Sequence, residues 1–295
     1  MDNLSLLIIA LNQLPKIWRA KIFPFVNWFF FDSSIWVREN LNIFSDNIKS
    51  WLIKWIKESF SSDILDKVYN KAEEIASQSK KLWIWIINFK EENFPKLFNS
   101  MSKDPPILLY YLGDISKLNK QRNITIIWSR NADNTWLTTS FYLWKQFASK
   151  WYNIVSWLAK WCDVEAHKWA LSVNWLTTAI VGCWLDSIVI NKDVAKNIYQ
   201  SWWVIFSEFP VWEKDTKRSL IERDRLQAWV SDIIIWVQFS KESWTTHALN
   251  TALENKRKVF VVKYKNNNSE LISWNNYYLE NTDAEELTSK TIDLI

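Results

Sequence analysis

Glycine is almost missing: the 295 residues contain 2, where roughly 20 follow from the usual frequency of about 7%. As written, the chain holds no Gly-x-Gly-x-x-Gly fingerprint and no glycine-rich loop ending in Lys-Ser or Lys-Thr. The standard signals for a dinucleotide oxidoreductase and for a nucleotide-driven motor are therefore lacking. Cysteine is equally scarce, with only Cys162 and Cys183 and no Cys-x-x-Cys spacing, which argues against a disulfide framework or a structural zinc site. Histidine is limited to His167 and His247, and no metal-ligand cluster is apparent; no cofactor is expected. Nor is there an uninterrupted run of about 18 apolar residues. The N-terminal Met1-Asp2-Asn3-Leu4 lacks a basic region ahead of its short apolar run, so the expected location is the cytoplasm, away from membranes.

What is abundant is tryptophan, with 23 residues against those 2 glycines. They stand where a folded chain needs glycine, as in Ile127-Trp128-Ser129-Arg130, Ser156-Trp157-Leu158-Ala159-Lys160-Trp161-Cys162-Asp163 and Trp202-Trp203. Tryptophan and glycine together total 25, close to an ordinary glycine content. Most of these positions therefore read as glycine in the natural protein. A gene that uses UGA for glycine, translated with UGA as tryptophan, would give this pattern. The other reading is a tryptophan-rich platform for bases or sugars. Such platforms line aromatics along one face, whereas these sit beside Asn, Ser, Asp and Lys at turns. Trp51 and Trp55, on a predicted helix, are the ones that least invite restoration.

A chain of this length can bury a sizeable core in one or two domains. The net charge of +4 and pI near 8.8 suit a polyanionic partner without specifying one. Residues 1–80 read as a helical domain, with apolar residues at spacings of three and four and interleaved charges, as in Trp51-Leu52-Ile53-Lys54-Trp55-Ile56-Lys57-Glu58. Within it, Leu14-Pro15-Lys16-Ile17-Trp18-Arg19-Ala20-Lys21, with glycine at position 18, resembles the hairpin of helix-hairpin-helix DNA modules; an ordinary turn between helices fits it too.

Residues 81–295 change period. Apolar runs at 124–127, 153–155, 178–181, 204–206, 233–235 and 259–262 alternate with helical stretches near 137–149, 163–172, 191–200, 218–229 and 245–255. Continuous apolar strands separated by helices predict an α/β fold, a Rossmann-like parallel sheet with helices on both faces. Ligands of such sheets bind beyond the carboxyl ends of the strands. Residues 265–270 read as a polar surface loop, and the remainder continues the same domain.

The loops after these strands carry the chemistry. With glycine at Trp128, the first strand runs into Gly-Ser-Arg, a turn suited to a phosphate. The second ends in a string that becomes Ser-Gly-Leu-Ala-Lys-Gly-Cys-Asp, followed by Val164-Glu165-Ala166-His167-Lys168.

This string resembles the hallmark of the DNA-processing protein A family, DprA/Smf, and further segments follow that family in order. Phe94-Pro95-Lys96-Leu97 with Asp104-Pro105-Pro106-Ile107-Leu108-Leu109-Tyr110 and Leu112-Gly113-Asp114 is similar to its entry segment. Trp128-Ser129-Arg130 is similar to its Gly-Ser-Arg loop and Cys183-Trp184-Leu185-Asp186 to its Gly-Leu-Asp turn. Ser207-Glu208-Phe209-Pro210 matches a Ser-Glu-Phe-Pro segment, and Arg223-Asp224-Arg225 its Arg-Asn-Arg helix start. Ser243-Trp244-Thr245-Thr246 stands where the family has Ser-Gly-Ser or Gly-Gly-Thr. The resemblance covers about residues 80–280, and nearly every tryptophan there falls on a family glycine. It departs at Asp224, in the missing Tyr-Pro after the Gly-Leu-Asp turn, and in the lack of a winged-helix segment after residue 290.

The resemblance implies a non-catalytic protein that binds and protects single-stranded DNA and loads the RecA recombinase in DNA uptake, natural transformation and recombination. It implies a homodimer, and single-strand-binding protein as a further partner. The candidate DNA-binding residues are Trp128, Ser129, Arg130, Ser156, Trp157, Lys160, Trp161, Lys192, Arg223, Arg225, Trp244, Thr245 and Thr246. Each has a plainer reading. Arg130 could pair with an acid at the sheet edge, Lys192 could be a solvated charge, and Arg223 and Arg225 could pair with Glu222, Asp224 or Glu208. His167 reads as a buried hydrogen-bonding residue, Asp163 as a helix cap, and both cysteines as packing residues.

An enzyme of the nucleoside monophosphate phosphoribohydrolase type is the alternative function. Its loop would correspond to Lys241-Glu242-Ser243-Trp244-Thr245-Thr246-His247-Ala248. His247 and Ala248 stand there in place of the carboxylates that an oxocarbenium-like transition state requires.

Overall fold

A computed structural model describes residues 1–15, 17, 19–29, 35–47, 60–101, 104–128, 134–158, 162–185, 188, 191–213, 216–238, 246–264 and 270–295. The chain forms two compact units, one from Met1–Phe94 with Met101–Tyr110, the other from Pro95–Ser100 with Tyr111–Ile295.

The first unit is built on helices α1 (Asn3–Asn12), α2 (Arg19–Pro24), α3 (Val37–Asn47) and α4 (Ser62–Lys81). Helix α1 starts cleanly because the Asp2 side chain accepts the Ser5 N–H at 2.7 Å. It buries Leu4, Leu7, Ile8, Ile9 and Leu11, while Ser61 caps α4. The unit also holds strand β1 (Trp85–Asn88) and most of β2 (Leu108–Leu112), so it is more than the helical region read from residues 1–80. Asn88 ties β1 to α1, its amide donating to Asp2 and Ser5, each at 3.0 Å. In the hairpin-like stretch, positions 16 and 18 lie outside the described residues. Arg19 is paired with Asp104 at 3.1 Å.

The second unit runs through α5 (Lys117–Lys120), β3 (Arg122–Trp128), α6 (Asn134–Ser149), β4 (Tyr152–Ser156), α7 (Cys162–Ser172), β5 (Thr177–Ile180), α8 (Lys192–Gln200) and β6 (Val204–Ser207). It continues with α9 (Lys217–Val230), β7 (Ile233–Gln238), α10 (Thr246–Glu254), β8 (Lys258–Val262), α11 (Glu270–Asn281), β9 (Glu285–Leu287) and α12 (Ser289–Leu294). Its strands lie in the order β6-β5-β4-β3-β7-β8-β9, and each pairing is parallel. This is the Rossmann-like arrangement. From β3 the chain steps outward to β6, then returns past β3 to β7, so the topological reversal falls between β3 and β7, where such folds bind ligands.

The strands are apolar because both faces are covered. On one face Leu143, Trp144 and Phe147 of α6, Ala166 of α7 and Ile292 of α12 pack on Ile124, Ile126, Ile154, Ile233 and Ile235. On the other, Ala228 of α9, Ala248, Leu249 and Ala252 of α10 and Tyr278 of α11 pack on Ile127, Ile234, Val259 and Val261. A polar rung crosses the amino edge. Asn153 Nδ2 donates to Asn123 Oδ1 at 2.8 Å and to Thr178 Oγ1 at 3.0 Å, and the Asn123 N–H donates to Asp232 at 2.7 Å. Asn123, Asn153 and Thr178 are buried, and their mutual hydrogen bonds help to fix the strand register.

Helix α12 is fastened at the same edge. Lys150 Nζ donates to the carbonyls of Ile292 and Asp293 at 2.6 and 3.0 Å. The Tyr152 hydroxyl donates to the Ile295 carbonyl at 2.9 Å, and Arg122 reaches the same oxygen at 3.3 Å while lying over the Tyr152 ring.

Some tryptophans sit inside regular elements: Trp144 in α6, Trp169 in α7, Trp229 in α9 and Trp236 in β7. Four others, Trp83, Trp151, Trp202 and Trp212, hold φ of 58°, 66°, 60° and 74°. That region costs an L-residue with a Cβ roughly 1–2 kcal/mol. Gly113, at φ 88°, shows the ordinary solution, since a Cβ there would collide with the Trp203 carbonyl.

Candidate nucleic-acid interface

The carboxyl ends of β3, β4 and β7 are Trp128, Ser156 and Gln238. Trp128 is the last residue of β3. Ser129, Arg130, Lys160, Trp161, Trp244 and Thr245 lie outside the described residues. Thr246 opens α10 as its first residue and is half-buried. Lys192 is the first residue of α8 and is exposed.

The end of β4 is the best-defined part of the site. Ser156 is buried, and its hydroxyl donates to Asp163 Oδ1 at 2.8 Å. Asp163 is the second residue of α7, so the reading of it as the helix cap is corrected. It is a first-turn carboxylate that suits the positive end of the helix and fixes Ser156 from there. Beyond Ser156 the chain is held by its carbonyls. His167 Nε2 lies 3.1 Å from the Trp157 oxygen and Nδ1 lies 2.7 Å from Thr177 Oγ1. A carbonyl can only accept, so Nε2 carries the proton, while Nδ1 shares a hydrogen bond with the Thr177 hydroxyl, which also reaches the Ile154 carbonyl at 3.0 Å. Asn191 Nδ2 donates to the next carbonyl, that of Leu158, at 3.0 Å.

His167 is fully buried, and that desolvation pushes its pKa down to about 4. The imidazole is neutral at physiological pH and serves as a clamp, in line with its reading as a buried hydrogen-bonding residue. Asn191 was not visible in advance. An asparagine just before a helix suggests an N-cap, yet its side chain makes no cap bond and its φ is 60°. In a trans peptide the N–H points opposite to the carbonyl. With the Trp157 carbonyl turned to His167, the Leu158 N–H is aimed away from it.

The two arginines of α9 differ. Arg223 is buried, with its guanidinium 4.1 Å from the Trp157 ring centre and Nη2 3.3 Å from Asp224 Oδ1. It stands beside the end of β4, against the ring of Trp157, whose carbonyl His167 holds. Arg225 instead pairs with Glu208 at 2.9 Å, with side-chain exposures of 14% and 2%. That pair ties α9 to the segment after β6. Cys183 is buried. No group of three or more His, Cys, Asp or Glu that could hold a metal occurs among the described residues, and no helix among them is long and apolar enough to cross a membrane.

The chain as a whole has relatives among known proteins. The family described as DNA recombination-mediator protein A matches residues 85–292. The chain is 26% identical over 209 residues to the DNA processing protein DprA of Bacillus subtilis, covering 70% of each. It is 27% identical over 175 residues to the protein Smf of Synechocystis, covering 58% of this chain and 44% of that protein. The X-ray structure of DNA processing protein A from Streptococcus pneumoniae shares the fold, with a TM-score of 0.69 at 20% identity over 95% of this chain and 98% of that one. DNA processing protein A from Helicobacter pylori, whose structure was determined for its single-stranded DNA binding mode, gives 0.60 at 26% identity over 71% and 94%. With that family spanning well over half of its residues, the chain belongs to the DNA recombination-mediator protein A family, the DprA/Smf proteins.

Proposed function

We propose that this protein binds single-stranded DNA at the carboxyl edge of β3, β4 and β7, protects it, and loads RecA recombinase onto it as a homodimer, without catalysing a reaction. The observation that carries the proposal is the clamped end of β4. There, two successive carbonyls are taken up by His167 and Asn191 beside the buried cation of Arg223. Rigid backbone next to cations suits a phosphate chain, which presents the same acceptors at every nucleotide and requires no base readout. Ser129, Arg130, Ser156, Trp157, Lys160, Trp161 and Lys192 are the contacts assigned to this path, with Trp128 and the 244–246 segment at its ends. Arg225, held by Glu208, serves the path through the placement of α9.

The test is a salt-series titration against labelled single-stranded and double-stranded DNA of equal length. Tighter binding of the single strand, with affinity falling steeply as salt rises, is expected. Equal or absent binding overturns the proposal. The RecA step is read separately, as the rate of RecA filament growth on DNA coated with single-strand-binding protein; no acceleration would remove that step and leave DNA binding in place.

A further inference from the structure

The backbone distinguishes one set of tryptophans from the rest. Helix α4 ends with Leu82 as its cap, and the next two residues close a double turn. The Trp83 N–H donates to Lys80 O at 3.2 Å and the Ile84 N–H to Ser79 O at 2.9 Å. Helix α8 ends the same way after Ser201, with Trp202 N–H to Tyr199 O and Trp203 N–H to Ile198 O, both at 3.0 Å. This paired pattern is the Schellman ending, in which the first residue past the cap is left-handed and is most often glycine. Helix α6 turns likewise at Trp151, whose N–H donates to Ala148 O at 2.9 Å. Trp212 is the third residue of a turn closed from Glu213 N–H to Pro210 O at 3.4 Å. Its φ of 74° is that of the position where a type II turn demands glycine.

Packing offsets little of this strain at Trp83, Trp151 and Trp202, although Trp151 meets the Trp175 ring edge-on at 4.8 Å; Trp212 is more covered, at 39% exposure. Trp83, Trp151 and Trp202 are 78%, 69% and 70% exposed, so their indoles bury little in return for a backbone conformation that suits residues without a Cβ. Where α7 and α10 end in the same conformation, the left-handed residues are Asn174 and Lys256, so the turn itself is general and tryptophan is not its requirement. Trp144 has the opposite character. It is 2% exposed within α6 and packs into the core.

We propose that positions 83, 151, 202 and 212 are glycine in the protein as its source cell makes it, through a codon that the cell assigns to glycine. The inference concerns the working residues of this chain and stands whether or not it binds DNA.

The experiment is peptide mass spectrometry of the protein purified from its source organism, covering these four positions. Glycine masses at all four are expected, and tryptophan at any of them overturns the assignment there. A second measurement needs no source cell. The chain as written is compared in denaturant with single variants W83G, W151G, W202G and W212G, and with W144G as a contrast. The four are expected to raise the unfolding midpoint or leave it in place, while W144G lowers it. A lowered midpoint for the four, matching W144G, would contradict the inference.

Discussion

His167 holds the Trp157 carbonyl from inside the fold, its Nε2 3.1 Å from that oxygen. The bond requires that Nε2 be protonated, and burial away from water disfavours a second proton at Nδ1. Protonation therefore opposes the folded state. The folded pKa of about 4 lies below the ordinary 6.5, so the stabilisation is complete above 6.5 and is lost as pH falls toward 4. The loss amounts to about 3 kcal/mol. Urea midpoints measured from neutral pH down to 4 should fall accordingly, and H167Q should flatten that limb. A wild-type midpoint that does not move would rule out a buried neutral imidazole.

The Arg225–Glu208 pair predicts a structural phenotype. R225A leaves a carboxylate at 2% side-chain exposure without its cation, and should cost about 3 kcal/mol. Part of that cost should return in the R225A/E208Q double variant. Single-strand affinity should persist wherever the variant remains folded. Lost affinity at unchanged stability would instead place Arg225 on the DNA path.

Arg130 belongs to the proposed path, although it lies outside the described residues. R130A should weaken single-strand binding at least about tenfold and lower the salt slope by about 1. An unchanged titration would remove Arg130 from the interface.

Gly113 permits the close approach of the turn after β2 to the Trp203 carbonyl at φ 88°. G113A meets backbone, which cannot rotate away, and should destabilise the protein by about 2 kcal/mol or more. Thermal unfolding of the two proteins decides it; equal melting temperatures would contradict the contact.

The alternation of strands and helices was legible because parallel strands buried on both faces leave unbroken apolar runs. The 233–235 run, for example, appears as β7 at Ile233–Gln238. Strands β1 and β9 were not, since Trp85–Asn88 and Glu285–Leu287 are short and partly exposed. Nor was α11, because its start abuts a polar stretch that reads as a loop. At the candidate site, the Ser156–Asp163 stretch, read as following the second apolar run, does follow a strand, β4 at Tyr152–Ser156. The partner of Arg225 was among the acids named for it, but Asn191 had no local signal. It acts on a carbonyl 33 residues earlier, a distance that no local sequence pattern encodes.

The fastening of α12 has a practical side. Arg122 and Tyr152 open β3 and β4, and both reach the Ile295 carbonyl. A fluorophore or surface tether on the exposed Lys290 of α12 would thus sit by the amino ends of these strands, remote from the edge where a nucleic acid is expected. Immobilisation through that point should leave the edge open to solution, whereas a tether on Lys150 would have to break the latch to form.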